Sequence, residues 1–160
     1  MTWMKTRMTL SWRRLVMSLL AVTGMMMWLA VPRTVWASVD DAHSFAMEAA
    51  VPFVEQGFIV REDYWNGEVK SGQKLMVKHQ LFKGNEYAFW LATGVEVKSM
   101  ELKVYDDKGK AIEMDTQEGD LWVTVRVNPP RTGTYTVVFS FESSDKSEPG
   151  VTWALAYGYR

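Results

Sequence analysis

The sequence predicts an all-β fold, an antiparallel sandwich or barrel of about eight strands with a short helix ahead of it. Three observations carry this. From Gly57 onward, short apolar or alternating runs recur, separated by turn-forming clusters about every 8 to 14 residues. Within the runs the apolar residues alternate with a period of two, the spacing of a strand with one buried face. Helical spacing is confined to residues 38–56, so the βαβ pattern of a parallel sheet is missing.

Residues 1–37 read as an export signal. They hold Lys5, Arg7, Arg13, Arg14 and Arg33 and no acid, and seven of the eleven methionines fall in the first 27 positions. A basic start precedes the apolar run Leu15 to Val31, Pro32 breaks it, and Val35-Trp36-Ala37 sets up cleavage after Ala37. The run is at the short end of the roughly 20 residues a membrane helix needs, so a cleaved signal is favoured over a retained membrane anchor, and no span is expected after cleavage. Arg13-Arg14 loosely resembles a twin-arginine signal, but its surroundings favour the general secretory route.

Residues 38–56 are expected to form a linking or closing helical segment. Ala42, Phe45, Ala46, Ala49 and Phe53 share a face, and Ser38 or Asp40 is placed to cap the start. Pro52 is expected to end the helix near Ala50 or Val51, since the residue before proline avoids helical angles.

Residues 57–160 are the predicted sandwich. GFIVREDYW reads as the first strand and NGEVKSG as a turn. QKLMVKHQL leads to a turn at Gly84-Asn85, then YAFWLA and SMELKVY, and Gly109 suits the left-handed position of a hairpin. AIEM reads as a strand, DTQEGD as a turn, and LWVTVRV, YTVVFSFE and VTWALAYGY as strands. Leu121, Val123, Val125 and Val127 share one face. Tyr135, Val137, Phe139 and Phe141 share another, as do Tyr87, Phe89 and Leu91, and Trp153, Leu155, Tyr157 and Tyr159. In NPPRTGTY, Pro129 and Pro130 cannot continue a ladder, and Gly133 is expected to supply an angle that a side chain would resist.

Composition limits the chemistry. Residues 38–160 hold 13 basic and 19 acidic groups, a net −6, which argues against a nucleic-acid partner. No cysteine occurs, which removes disulfides, thiolate metal sites and a cysteine nucleophile. The two histidines, His43 and His79, are not at metal spacing, and no nucleophile elbow, zinc-protease helix motif or phosphate-binding glycine loop is present. The acids Glu113, Asp115, Glu118 and Asp120, and the pair Asp106-Asp107, cluster at turns without the order of a calcium loop. No cofactor or metal is expected.

GEVKSGQ, LFKGNEYAFWLATG, MELKVYDDKGKAI and WVTVRVNPPRTGTYTVVFSF together resemble the bacterial pre-peptidase C-terminal domain. Gly84, Tyr87 and Phe89 match its first element. Leu102, Val104, Tyr105, Asp106 and Gly109 match its hairpin, and Gly133, Thr134 and Tyr135 its Gly-Thr-Tyr strand opening. The resemblance spans residues 67–142 and implies a jelly-roll-like β-sandwich acting as an accessory module of exported proteins in secretion, attachment or polymer binding. The sequence departs from the pattern in having no peptidase domain beside it, and the calcium-binding acids of some relatives have no clear counterpart.

These readings imply a secreted or periplasmic, monomeric, non-catalytic domain recognising an envelope or extracellular protein or glycan. The alternatives are a structural or assembly component of the envelope and, further off, a hydrolase whose carboxylates converge only in space. The candidate ligand platform is Trp90 and Trp122, which fall opposite the apolar faces of their strands, with Tyr105 and Arg126 as neighbours. The competing structural explanation is that the helix or segment 57–65 covers both indoles.

Overall fold

A computed structural model describes residues 38–143 and 150–160. The expected signal segment, residues 1–37, with Arg13-Arg14 and the expected cleavage after Ala37, lies outside them. Among these residues the fold is all-β, an antiparallel sandwich of nine strands with one helix on the outside, α1 (Val39–Glu55). The larger sheet runs β1 (Ile59–Val60), β9 (Val151–Tyr159), β4 (Tyr87–Thr93), β7 (Trp122–Val127), β6 (Met114–Glu118), with β2 (Trp65–Val69) also on β9. The smaller is β3 (Lys74–Leu81), β8 (Gly133–Ser143), β5 (Val97–Tyr105).

Alternation builds the core between the sheets. Tyr87, Phe89 and Leu91 of β4, Val123, Val125 and Val127 of β7, and Trp153, Leu155 and Tyr157 of β9 face Tyr135, Val137, Phe139 and Phe141 of β8 and Leu102 and Val104 of β5. These are the faces read from the sequence, except that Leu121 falls just before β7 and is half-buried.

The larger sheet is also buried on its other side. Ala88, Trp90 and Ala92 of β4 and Ala156 of β9 pack against Ala46, Ala49, Ala50 and Phe53 of α1. Small residues on both layers let the helix approach closely and leave room for one large ring, the Trp90 indole. Phe53 meets it edge-on at 5.5 Å. Gly158 completes the fit, because a Cβ there would stand 2.6 Å from the Ile59 carbonyl oxygen and 2.7 Å from the Trp90 ring.

Ser38 caps α1. Its hydroxyl accepts from the Asp41 amide at 3.1 Å while the Asp41 carboxylate accepts from the Ser38 amide at 2.8 Å, a reciprocal capping box. The expected stop at Pro52 is wrong: the helix continues to Glu55. Proline loses one backbone bond, but Phe53 beyond it is buried against Trp90 and Phe58, so packing outweighs local preference. The Gln56 side-chain amide donates back to the Pro52 carbonyl at 3.0 Å.

Three strand expectations change. GFIVREDYW is two short strands, and Asn66 to Val69, read as turn, belong to β2 because they pair with β9. The strand read at AIEM is displaced: only Met114 of it lies in β6, and Asp115 to Glu118, also read as turn, make up the rest. Among the described residues that strand pairs on one side only and is mostly exposed, so no apolar alternation marks it. Gly84 and Gly109 have positive φ, 99° and 74°, as their turns require. Gly133 does not, so its expected role is wrong: it sits in ladder register opposite Leu81, with open space where a Cβ would stand. The corner is held instead by Tyr135, whose hydroxyl donates to the Arg131 carbonyl at 2.8 Å, and by Thr132, whose hydroxyl accepts from the Lys83 amide at 2.9 Å.

Two substitutions test these packing roles in denaturant unfolding. Trp90→Ala should destabilise by about 3–5 kcal/mol, the cost of an aromatic-sized cavity. Tyr135→Phe should cost about 1 kcal/mol, the net value of one lost hydrogen bond. A Trp90→Ala protein of unchanged stability would show that α1 does not cover the sheet.

Candidate functional site

The four predicted platform residues do not converge. Trp90 is fully buried under α1, so it is a core residue and offers no surface to a ligand. Trp122 is half-buried at the start of β7, where it packs on the edge of the helix-covered core and lines a cleft of about 270 Å³ with Glu96, Lys98, Glu118 and Asp120. Arg126 is committed elsewhere. Its guanidinium pairs with Asp115 at 2.6 Å and Glu86 at 3.7 Å and donates to the Gln56 side-chain oxygen at 3.3 Å. Glu86 also pairs with Arg160 at 2.7 Å, and Arg160 donates to the Gln56 carbonyl at 2.8 Å while lying over the Phe58 ring. Arg126 thus belongs to a clamp on the end of α1. Tyr105 sits on the other sheet, so its expected place beside the tryptophans is wrong.

Tyr105 nevertheless marks a surface with binding character. The outer side of the β3-β8-β5 sheet carries Lys74, Met76, Lys78 and Gln80 from β3, Thr134, Thr136, Val138 and Ser140 from β8, and Glu101, Lys103 and Tyr105 from β5. Among the described residues no helix or strand lies over it, and Met76 is 67% exposed. Register places Lys78, Thr136 and Tyr105 in one row across the sheet and Met76, Val138 and Lys103 in the next. Tyr105 and Lys78 border a groove of about 510 Å³, with Thr134, Thr136, Asp106 and Asp107 also in its wall. It offers one aromatic ring, hydroxyls and both signs of charge.

The groove's end is rigid. Asp106 accepts from the amides of Lys110 at 2.9 Å and Lys108 at 3.0 Å, and these bonds hold its carboxyl below the usual range. Arg131 pairs with Asp107 at 3.2 Å and Asp106 at 3.7 Å, tying the β5 hairpin to the corner before β8. Lys103 is paired with Glu101. Lys74 and Lys78 make no ion pair among the described residues, although, behind the Lys103 hydrogen bond, the Lys74 charge helps to hold the Glu101 carboxyl below the usual range.

The inward row of β3 holds an element that the sequence did not flag. His79, on β3 at the end of the smaller sheet, is half-buried between the sheets. Its ring lies 4.3 Å from that of Tyr157, 5.5 Å from Trp65 and 6.5 Å from Phe89. The Tyr157 hydroxyl donates to Asp63 at 2.8 Å, and Arg61 stands 3.5 Å from the same carboxylate. Burial pushes the His79 pKa down, partly opposed by the Asp63 charge and reinforced by that of Arg61. His43 is remote, stacked on Tyr64 at 3.9 Å. Among the described residues no group of three or more histidines and carboxylates is placed to hold a metal ion, and no helix is long and apolar enough to cross a membrane.

Lys74 and Lys78 were legible as alternating outward residues of QKLMVKHQL, but nothing in one strand says that its outer face stays open. A scan against protein-family models finds no match, and a search of curated proteins finds no similar sequence.

Because the folded His79 resists protonation, its contribution to stability is complete above its ordinary value of 6.5 and is lost as the pH falls below that toward the folded value. Urea unfolding midpoints should therefore decline between about pH 7.5 and 5, and His79→Phe should flatten that decline. An unchanged slope in the variant would place the histidine in water.

Proposed function

We propose that the protein is an exported, non-catalytic binding module that holds an envelope or extracellular protein or polysaccharide on the outer face of its three-stranded sheet, in the periplasm or beyond the cell. The carrying observation is the asymmetry of the sandwich. One sheet spends its outer face on α1 and Trp90, while the other presents the Lys78–Thr136–Tyr105 row beside a groove. Flat sheet faces of this kind suit extended ligands, which lie across several strands and meet aromatic, hydroxyl and charged groups in turn.

An accessory role is supported by the resemblance to the pre-peptidase C-terminal domain, whose matching residues here include Tyr105, Asp106 and Gly109 of the hairpin at the groove's end. The basic and apolar residues 1–37 support export. A non-catalytic reading is supported by the setting of both histidines, whose close ring partners are aromatic. The protein is proposed to act as a monomer, without cofactor or metal.

The test is affinity capture from an envelope extract with the full chain, in parallel with Lys78→Glu/Tyr105→Ala and Val54→Ser, the last a substitution on the exposed side of α1. The double variant should retain about tenfold less of the captured protein or glycan with an unchanged unfolding midpoint, and Val54→Ser should retain all of it. Capture that survives the double variant, or turnover of a substrate by the purified protein, would overturn the reading.

A further inference from the structure

β3 is an edge strand. It pairs with β8 along its whole length, Lys74 to Leu81, and among the described residues no strand pairs with its other side. The amides and carbonyls of an edge that point away from the sheet are a template for one more strand. The inward row of β3 points the same way. Leu75, Val77 and His79 are half-buried, while Tyr135, Val137 and Phe139 beside them on β8 are fully buried. The core is therefore thin along this one side of the sandwich.

Charge selects what can lie there. Residues 69–85 carry Lys70, Lys74, Lys78 and Lys83 and no acid, a charge of +4. The rest of 38–160 then holds 9 basic and 19 acidic groups, a charge of −10. On β3 itself, Lys74 and Lys78 point outward on the same face, about 13 Å apart at the strand rise of about 3.3 Å per residue. A second copy of β3 would bring lysines against lysines, so self-pairing is disfavoured, as lysines on edges commonly ensure. Residues 1–37 carry five basic groups and no acid, so they are repelled as well. An anionic glycan would satisfy the lysines but would leave the outward peptide groups and the Leu75-Val77 row unmatched.

We infer that β3 is the acceptor edge for an extended acidic segment of a partner protein, which adds to the small sheet as a fourth strand. Alternate apolar residues of that segment cover Leu75, Val77 and His79. Acids on the opposite side, four residues apart, pair with Lys74 and Lys78, and the residue between them meets Met76. This is strand addition, in which main-chain hydrogen bonds supply affinity and alternate side chains supply specificity. The inference rests on the binding-module reading and names the partner's chemistry.

The test uses the full chain and a synthetic peptide of eight residues, the length of β3, alternating Glu and Val. Calorimetric titration should show binding that weakens as NaCl rises, and amide exchange should slow at β3. Lys74→Glu/Lys78→Glu should bind the peptide about tenfold more weakly and gain affinity for the matching Lys-Val peptide. A Glu-Val peptide N-methylated at every residue should not bind, because neither of its edges can then donate to the ladder. Equal binding of the methylated peptide would overturn strand addition and leave a charge contact alone. Should neither peptide bind while an oligogalacturonate does so in a Lys78-dependent way, strand addition falls and the binding-module reading stands. Should the peptides and the oligogalacturonate all fail, and capture prove indifferent to Lys78 and Tyr105, both fall.

Discussion

The contact on which the fold depends is the seating of the Trp90 indole between α1 and the larger sheet. A β-sheet of this type ordinarily keeps one face for the core and one for water. Here β4 and β9 are buried on both faces, and the second face is possible only because its residues are small. Ala88, Ala92, Ala156 and Gly158 on the sheet and Ala46, Ala49 and Ala50 on the helix bring two backbones close together. One tryptophan then fills the space that the alanines leave. The capping box at Ser38 and the Arg126–Glu86–Arg160 clamp at the helix C-terminus serve that seating, and Pro52 within α1 is tolerated because of it.

Covering one sheet decides the fate of the other. With α1 committed to the larger sheet, the β3-β8-β5 face retains its lysines, threonines and Tyr105 in contact with solvent, and β3 retains a free edge among the described residues. The Tyr135 corner and the Arg131–Asp106–Asp107 contacts stiffen one end of that sheet without covering it. A rigid, uncovered sheet has little ordering left to do when a ligand arrives, which reduces the entropic cost of binding.

The alternation of the strands was legible because each core-facing position is apolar for a reason that acts locally, every second residue. Where that reason lapses, the reading failed. β6 is an edge strand with little to bury, so MDTQE carries no period-two signal. Val69 closes a strand that an Asn-Gly pair seemed to break, because pairing with β9 overrides the turn preference of Asn66 and Gly67. Trp90 was read as facing out of the core, and it does face away from the intersheet core. What a single strand could not say is that a second layer waits on that side. The setting of His79 was out of reach for the converse reason: only the fold brings Trp65 and Tyr157 to it from other strands.

By itself the sequence determined the all-β class, the faces of the main strands, the helical segment before them, and the charge contrast between residues 69–85 and the rest of 38–160. Those follow from periodicity, turn chemistry and composition, which act along the chain. The tertiary structure decided which sheet α1 covers, that Arg126 is part of a clamp, that Tyr105 borders a groove on the opposite face from Trp122, and that β3 is an edge. Each of these depends on which strands become neighbours, and strand order is set by contacts between residues far apart in sequence.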